Sequence, residues 1–124
     1  MTVEWIHDHG QTLGPPMGKL VGVIDSKESV DQVVQALDDA GFEHVEIIAG
    51  EEGLHLLERI HTFYFSDMED RVLHWHIEEV KAGHFVVLIK TSADRLDEAL
   101  EIAKWHGAHQ LIHFGWLTNT WLAK

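Results

Sequence analysis

Lys19-Leu20-Val21-Gly22-Val23-Ile24-Asp25-Ser26 is a nearly continuous apolar run closed by two residues suited to cap a helix. It predicts a strand buried on both faces. From Glu28 onward Val30, Val33, Val34 and Leu37 recur at helical spacing, Asp31, Gln32, Gln35, Asp38 and Asp39 fill the other face, and Gly41 supplies a left-handed stop. His44 to Ala49, with Val45, Ile47 and Ile48, then predicts a second strand ending at Gly50. The plan repeats further on. Phe85 to Ile89 is the apolar run, Thr91 to Asp94 the cap region, Leu96, Ala99, Leu100 and Ala103 the buried stripe, and Gly107 the stop. Laying 30–49 over 96–115 without a gap pairs Val30 with Leu96, Asp31 with Asp97, Val34 with Leu100, Gly41 with Gly107 and Val45 with Leu111. The match is of pattern more than identity, so it speaks for a duplicated architecture rather than a duplicated gene.

Two βαβ halves sharing one sheet predict an α/β (α+β) ferredoxin-like sandwich with Lys19 to Ile24 and Phe85 to Ile89 as its central strands. The alternative is a doubly wound parallel sheet, because the segment between the halves is long enough for a crossover helix. Residues 1–18, ending in Gly14-Pro15-Pro16-Met17-Gly18, read as an N-terminal arm and linker, 19–115 as a single domain, and 116–124 as a C-terminal arm. Within the domain, 51–83 is a helical insert. Glu51 to Phe65 places Leu54, Leu57, His61 and Tyr64 on one face with Leu56, Ile60 and Phe63 alongside, predicting a mostly buried helix. Ser66 then caps a second helix, with Val72, Leu73, His76, Ile77 and Val80 on one face, Asp70, His74 and Glu78 on another, and Gly83 at its end.

A four-stranded sandwich carries helices on one face only, yet its central strands read as buried on both. A second subunit, the Trp-bearing arms or the inserted helices must cover the other face, and the favoured expectation is a homodimer.

Composition narrows the function. The 124 residues suit one domain, and 45% hydrophobic with 24% charged residues is an ordinary globular composition. Nine Lys and Arg against 21 Asp and Glu give a formal charge of -12, which supplies no cationic footprint for nucleic acid. No apolar run reaches the roughly 20 residues of a membrane span, and Met1 to His9 lacks the pattern of a secretory signal, so a cytoplasmic protein is expected. The absence of cysteine removes disulfides, thiolate metal sites and a cysteine nucleophile. Eleven His make the charge soft near neutral pH, so acid should reduce self-repulsion and favour association.

The stretch Val21-Gly22-Val23-Ile24-Asp25-Ser26, the helix ending in Ala40-Gly41-Phe42, and Val45-Glu46-Ile47-Ile48 form the first part of a family resemblance. Val80-Lys81-Ala82-Gly83, Phe85-Val86-Val87-Leu88-Ile89, the helix Leu96 to Trp105, and His106-Gly107-Ala108 form the second. Together they cover roughly half the chain and resemble the bacterial heat-induced general stress protein family. The resemblance implies the fold and a loose stress-linked role, with no catalytic residue or ligand to carry across. Members often have a glycine-rich apolar stretch between the halves, where this chain has charged, His-rich helices.

Asp70, His74 and Glu78 are spaced four and four, so carboxylate, imidazole and carboxylate stack on one helical face and can ligate a divalent metal. The preferred reading is a solvated ladder. Glu51, His55 and Glu58 form a comparable stripe, and His55 and Glu58 would add ligands if the two helices fold back on each other. His76, beside Trp75, reads as a partly buried packing residue, with a haem axial ligand as its alternative. His7-Asp8-His9 is a short chelating sequence in the arm and is assigned no role. Ser26, Ser29, Ser66 and Ser92 sit in caps or turns, no nucleophile elbow or phosphate loop is present, and no catalytic residue is assigned. Trp5, Trp116 and Trp121 point to docking of the arms on the domain or on another subunit.

The expected function is a non-catalytic stress-associated or regulatory module. It would act through self-association and binding of a small-molecule or protein partner, without a cofactor. The alternative is a metal- or haem-binding protein, or a metal-dependent enzyme, built on Asp70, His74, Glu78, His55 and Glu58.

Overall fold

The computed structural model of the chain describes residues 1–6, 18–60, 67–114 and 119–123, with the side chains of 59–60, 67–73, 114 and 119–123 excepted. The elements run β1 (Thr2–Trp5), β2 (Lys19–Ile24), α1 (Lys27–Asp39), β3 (His44–Ile48), α2 (Gly50–Ile60), α3 (Asp67–Lys81) and β4 (Phe85–Lys90). A 3-10 turn (Ala93–Arg95) leads into α4 (Leu96–Trp105), and β5 (His109–Phe114) and β6 (Asn119–Ala123) complete the chain. The result is a mixed α/β architecture on one six-stranded sheet, in the order β1-β3-β4-β2-β5-β6.

Each half encloses a strand of the other. β4 lies between β2 and β3, and β2 between β4 and β5, all three contacts antiparallel. The central register runs from Lys19 opposite Lys90 to Ile24 opposite Phe85. Only β1 on β3 is parallel, so the doubly wound parallel sheet is excluded. The reason lies in the insert: two helices return the chain to the end of the sheet it left, where Ile48 faces Val86, whereas one crossover helix would have delivered it to the opposite end.

The helices of the two halves and those of the insert take opposite faces. Leu20, Ile24, Val45, Ile47, Val87, Ile89 and Leu111 point to α1 and α4, where Val30, Val33, Leu37, Ala99 and Ala103 are fully buried against them. Alternate residues Val21, Val23, Ile48, Val86, Leu88 and Ile112 meet Leu56 and Leu57 of α2 and Ile77 and Val80 of α3. This is why the strands read as unbroken apolar runs. Of the three covers expected for the second face, the inserted helices supply it over the central strands.

Three details refine the sequence reading. Ser26 caps α1, accepting from the Ser29 N–H at 3.2 Å. In α4 the fully buried positions are Ala99 and Ala103, while Leu96 and Leu100 are only partly buried, because the small residues let the helix lie close to the sheet. The terminal arms contribute strands at both sheet edges. Trp5 docks within the chain, edge-on to Phe85 with ring centroids 6.1 Å apart. The His7-Asp8-His9 sequence, the Pro15-Pro16 linker, Ser66 and Trp116 lie outside the described residues, as does the Trp121 side chain.

Candidate functional site

The end of the sheet where β2 and β3 finish and β4 and β5 begin gathers a cluster of titratable groups. Asp25 follows β2 directly, His84 precedes β4, His109 and Gln110 open β5, and Glu79 sits in the last turns of α3. The His84 Nδ1 lies 2.6 Å from Glu79 Oε2 and 3.5 Å from Asp25 Oδ1. His109 Nε2 approaches the same Asp25 Oδ1 at 2.7 Å, and Gln110 Nε2 donates to Glu79 Oε1 at 3.2 Å. One donor atom each from Asp25, Glu79 and His84 lie within 4.8 Å of one another.

A bulge sets this geometry. Val23 pairs with His109 and Val21 with Ile112, so Gly22 alone faces Gln110 and Leu111. A Cβ on Gly22 would lie 2.6 Å from Leu111 Cδ2, so any other residue there requires the buried Leu111 side chain to shift. Gln110 takes φ 52°, the single positive value outside glycine among the described residues. That conformation, sparsely populated by L residues, accompanies an amide bonded to Glu79 and an Oε1 buried with no partner among the described residues.

The electrostatics follow the contacts. The hydrogen bond to Glu79 raises the pKa of His84, helped by the nearby Asp25 charge and opposed by desolvation. The bond from His109 lowers that of Asp25, against a smaller desolvation effect.

The residues singled out from sequence lie elsewhere. His55, Glu58, His74 and Glu78 are all exposed, and Glu78 pairs with Lys81 at 3.7 Å. None of the four enters a convergent triple of ligands among the described residues, and the Asp70 side chain lies outside them. His76 is buried in the α3 side of the core, where desolvation lowers its pKa to about 4 and keeps the ring neutral.

Sequence reasoning missed Asp25, which it read as a cap residue, and Glu79, His84, His109 and Gln110 altogether. Their signal is topological: each flanks the end of a strand or helix, and laying the second half antiparallel on the first brings those ends together.

A second triple, Glu4, His44 and Glu46, lies at the opposite end of the sheet. There Lys19 Nζ is 2.5 Å from Glu46 Oε1, so an ammonium already supplies the cation. Compared with known proteins, the chain matches no family model, no curated protein and no solved structure.

Proposed function

We propose that this chain is a non-catalytic regulatory module, with a ferredoxin-like core extended by edge strands and an inserted helical layer, that binds one divalent metal ion. Asp25, Glu79 and His84 would be the ligands. The order β3-β4-β2-β5 with antiparallel contacts supports the fold reading. The convergence of three donor atoms within 4.8 Å, from the turn after β2, the end of α3 and the loop before β4, carries the metal reading. Two carboxylates and an imidazole suit a borderline first-row ion such as zinc or manganese. His109, bonded to Asp25 Oδ1, would help to hold that carboxylate in place. The stress-linked setting implied by the family resemblance belongs to the same proposal.

The 2.6 Å contact between His84 and Glu79 favours a second reading, a metal-free clasp in which the imidazolium bridges two carboxylates. Calorimetric titration of untagged protein with zinc and with manganese separates the two. The metal reading expects one ion per chain, weakened by at least about 100-fold in His84→Ala, more than the loss of an outer-shell partner costs, and unchanged in His74→Ala. No saturable binding would leave the clasp. Loss in His74→Ala instead would return the site to the inserted helices.

A further inference from the structure

Gln110 stands where a side chain is least expected. His109 pairs with Val23 and Ile112 with Val21, so Gln110 and Leu111 together oppose Gly22, and Gln110 is the first residue of the bulge. Its φ of 52° is that of a G1 bulge, a position that glycine ordinarily fills because an L side chain is strained there. A further cost attaches to the side chain. Its Oε1 is buried with no partner among the described residues, and such a carbonyl loses the hydrogen bonds that water gives it in the unfolded chain. Against both costs stands one hydrogen bond, from Nε2 to Glu79 Oε1 at 3.2 Å, at the long end of the normal range. Fold stability alone therefore favours glycine at position 110.

What the glutamine achieves is a division of the two oxygens of Glu79. Oε1 accepts from Gln110, and Oε2 lies 2.6 Å from His84 Nδ1. The amide has to present its N–H to Glu79, since the reversed amide would set a carbonyl oxygen against a carboxylate. With Oε1 engaged in this way, the oxygen on the His84 side is the one left for an ion.

Ions differ in what they ask of a carboxylate. Zinc takes four ligands in a tetrahedron, whereas manganese favours six oxygens. A carboxylate confined to one oxygen suits the first, and a carboxylate free to offer both gives the second an additional ligand.

Resting on the metal reading of this site, we propose that Gln110 is a positioning residue that confines Glu79 to ligation through one oxygen and so selects zinc over manganese. The strained backbone and the orphaned carbonyl are what the fold tolerates to keep this donor on Glu79. Zinc leads manganese at nitrogen and oxygen sites in general, so the role of Gln110 is read from the change in preference on mutation and not from the preference itself.

The test is a calorimetric titration of the untagged whole chain with zinc and with manganese, in the native form and as Gln110→Gly and Gln110→Met, with the urea midpoint of each metal-free protein measured alongside. Glycine suits the backbone and removes the side chain, whereas methionine keeps its length and cannot donate. Both variants should bind zinc about 10- to 100-fold more weakly, the loss typical of an outer-shell partner, and the ratio of zinc to manganese affinity should narrow by about tenfold or more. The metal-free midpoint of Gln110→Gly should equal or exceed the native one. A lower midpoint would make Gln110 a residue of the fold and overturn the proposal, as would equal weakening of the two metals or full zinc affinity in Gln110→Met. Saturable zinc binding by the native chain that both variants retain overturns this role alone. No saturable binding by the native chain overturns the metal site and the role together.

Discussion

His76 and His84 lie on α3 and just beyond it and respond to acid in opposite directions. Burial holds His76 neutral, lowering its pKa from 6.5 to about 4, so the unfolded chain takes up its proton first. Stability linked to His76 is therefore present above 6.5 and lost as pH falls toward 4, by on the order of 3 kcal/mol. His84 is raised instead, so its contribution is present below 6.5 and lost as pH rises through its folded value. Urea midpoints should then fall from about pH 7.5 to about pH 5 in the native chain, and fall less in His76→Phe, whose ring cannot charge. Equal falls would mean that His76 is not the group that resists protonation. A second residue-scale test concerns Lys19 and Glu46, which are 13% and 7% exposed. Lys19→Met strands a buried carboxylate and should cost about 3 to 5 kcal/mol, whereas adding Glu46→Leu should recover most of it. If the double variant is as unstable as the single one, the loss is of packing and not of charge.

At the scale of elements, what a helix buries decides what it contributes. Leu37 of α1 is fully buried and Leu100 of α4 only partly. Leu37→Ala should cost about 2 to 5 kcal/mol by transfer and cavity terms, and Leu100→Ala about half as much, read from denaturant midpoints at equal slope. Equal costs would mean that α4 rests on Leu100 after all. This correction shows where the sequence was legible. Periodicity locates α4 correctly, because Leu96, Ala99, Leu100 and Ala103 share a stripe, but it cannot rank them, since depth depends on how closely the helix approaches the sheet. The strands β2, β3 and β4 were legible as apolar runs and the helices α1 and α3 as periods closed by a glycine, whereas β5 was implied only by the repeat of the first half in the second. β1 and β6 were not: four- and five-residue edge strands are defined by the partner they pair with, and Thr2 to Trp5 alone has no pattern that distinguishes it from an arm. The candidate site was less legible still. Asp70, His74 and Glu78 attract notice because helical spacing makes them neighbours in sequence, whereas Asp25, His84 and His109 meet only through strand order.

The whole molecule is one sheet shared by two helical layers, and that arrangement changes what to expect of its assembly and unfolding. With α1 and α4 on one face and α2 and α3 on the other, both faces of the central strands β2, β3 and β4 are covered within the chain. The charge of -12 adds repulsion between copies. Light scattering at neutral pH should report the 14.1 kDa chain; among the described residues, the strand edges and the exposed Trp75 and Trp105 are the surfaces a dimer could use. The layers also share their support. Val21, Val23, Val86 and Leu88 bury one side of the same strands whose other side holds Leu20, Ile24, Val87 and Ile89, so neither layer can be lost without uncovering the central strands. Uncovering them exposes several branched side chains at about 1.5 to 3 kcal/mol each, comparable with the whole stability of a domain this size. The inserted helices should therefore unfold with the rest and not as a separate flap. Leu56→Ala in α2 and Leu37→Ala in α1, both fully buried, are expected to lower the midpoint of a single transition with the slope unchanged. Far-ultraviolet circular dichroism and tryptophan fluorescence should trace the same curve in both variants. A biphasic curve in Leu56→Ala alone, with the second step at the native midpoint, would show that α2 and α3 detach first and that the other layer with the sheet is a folding unit in its own right.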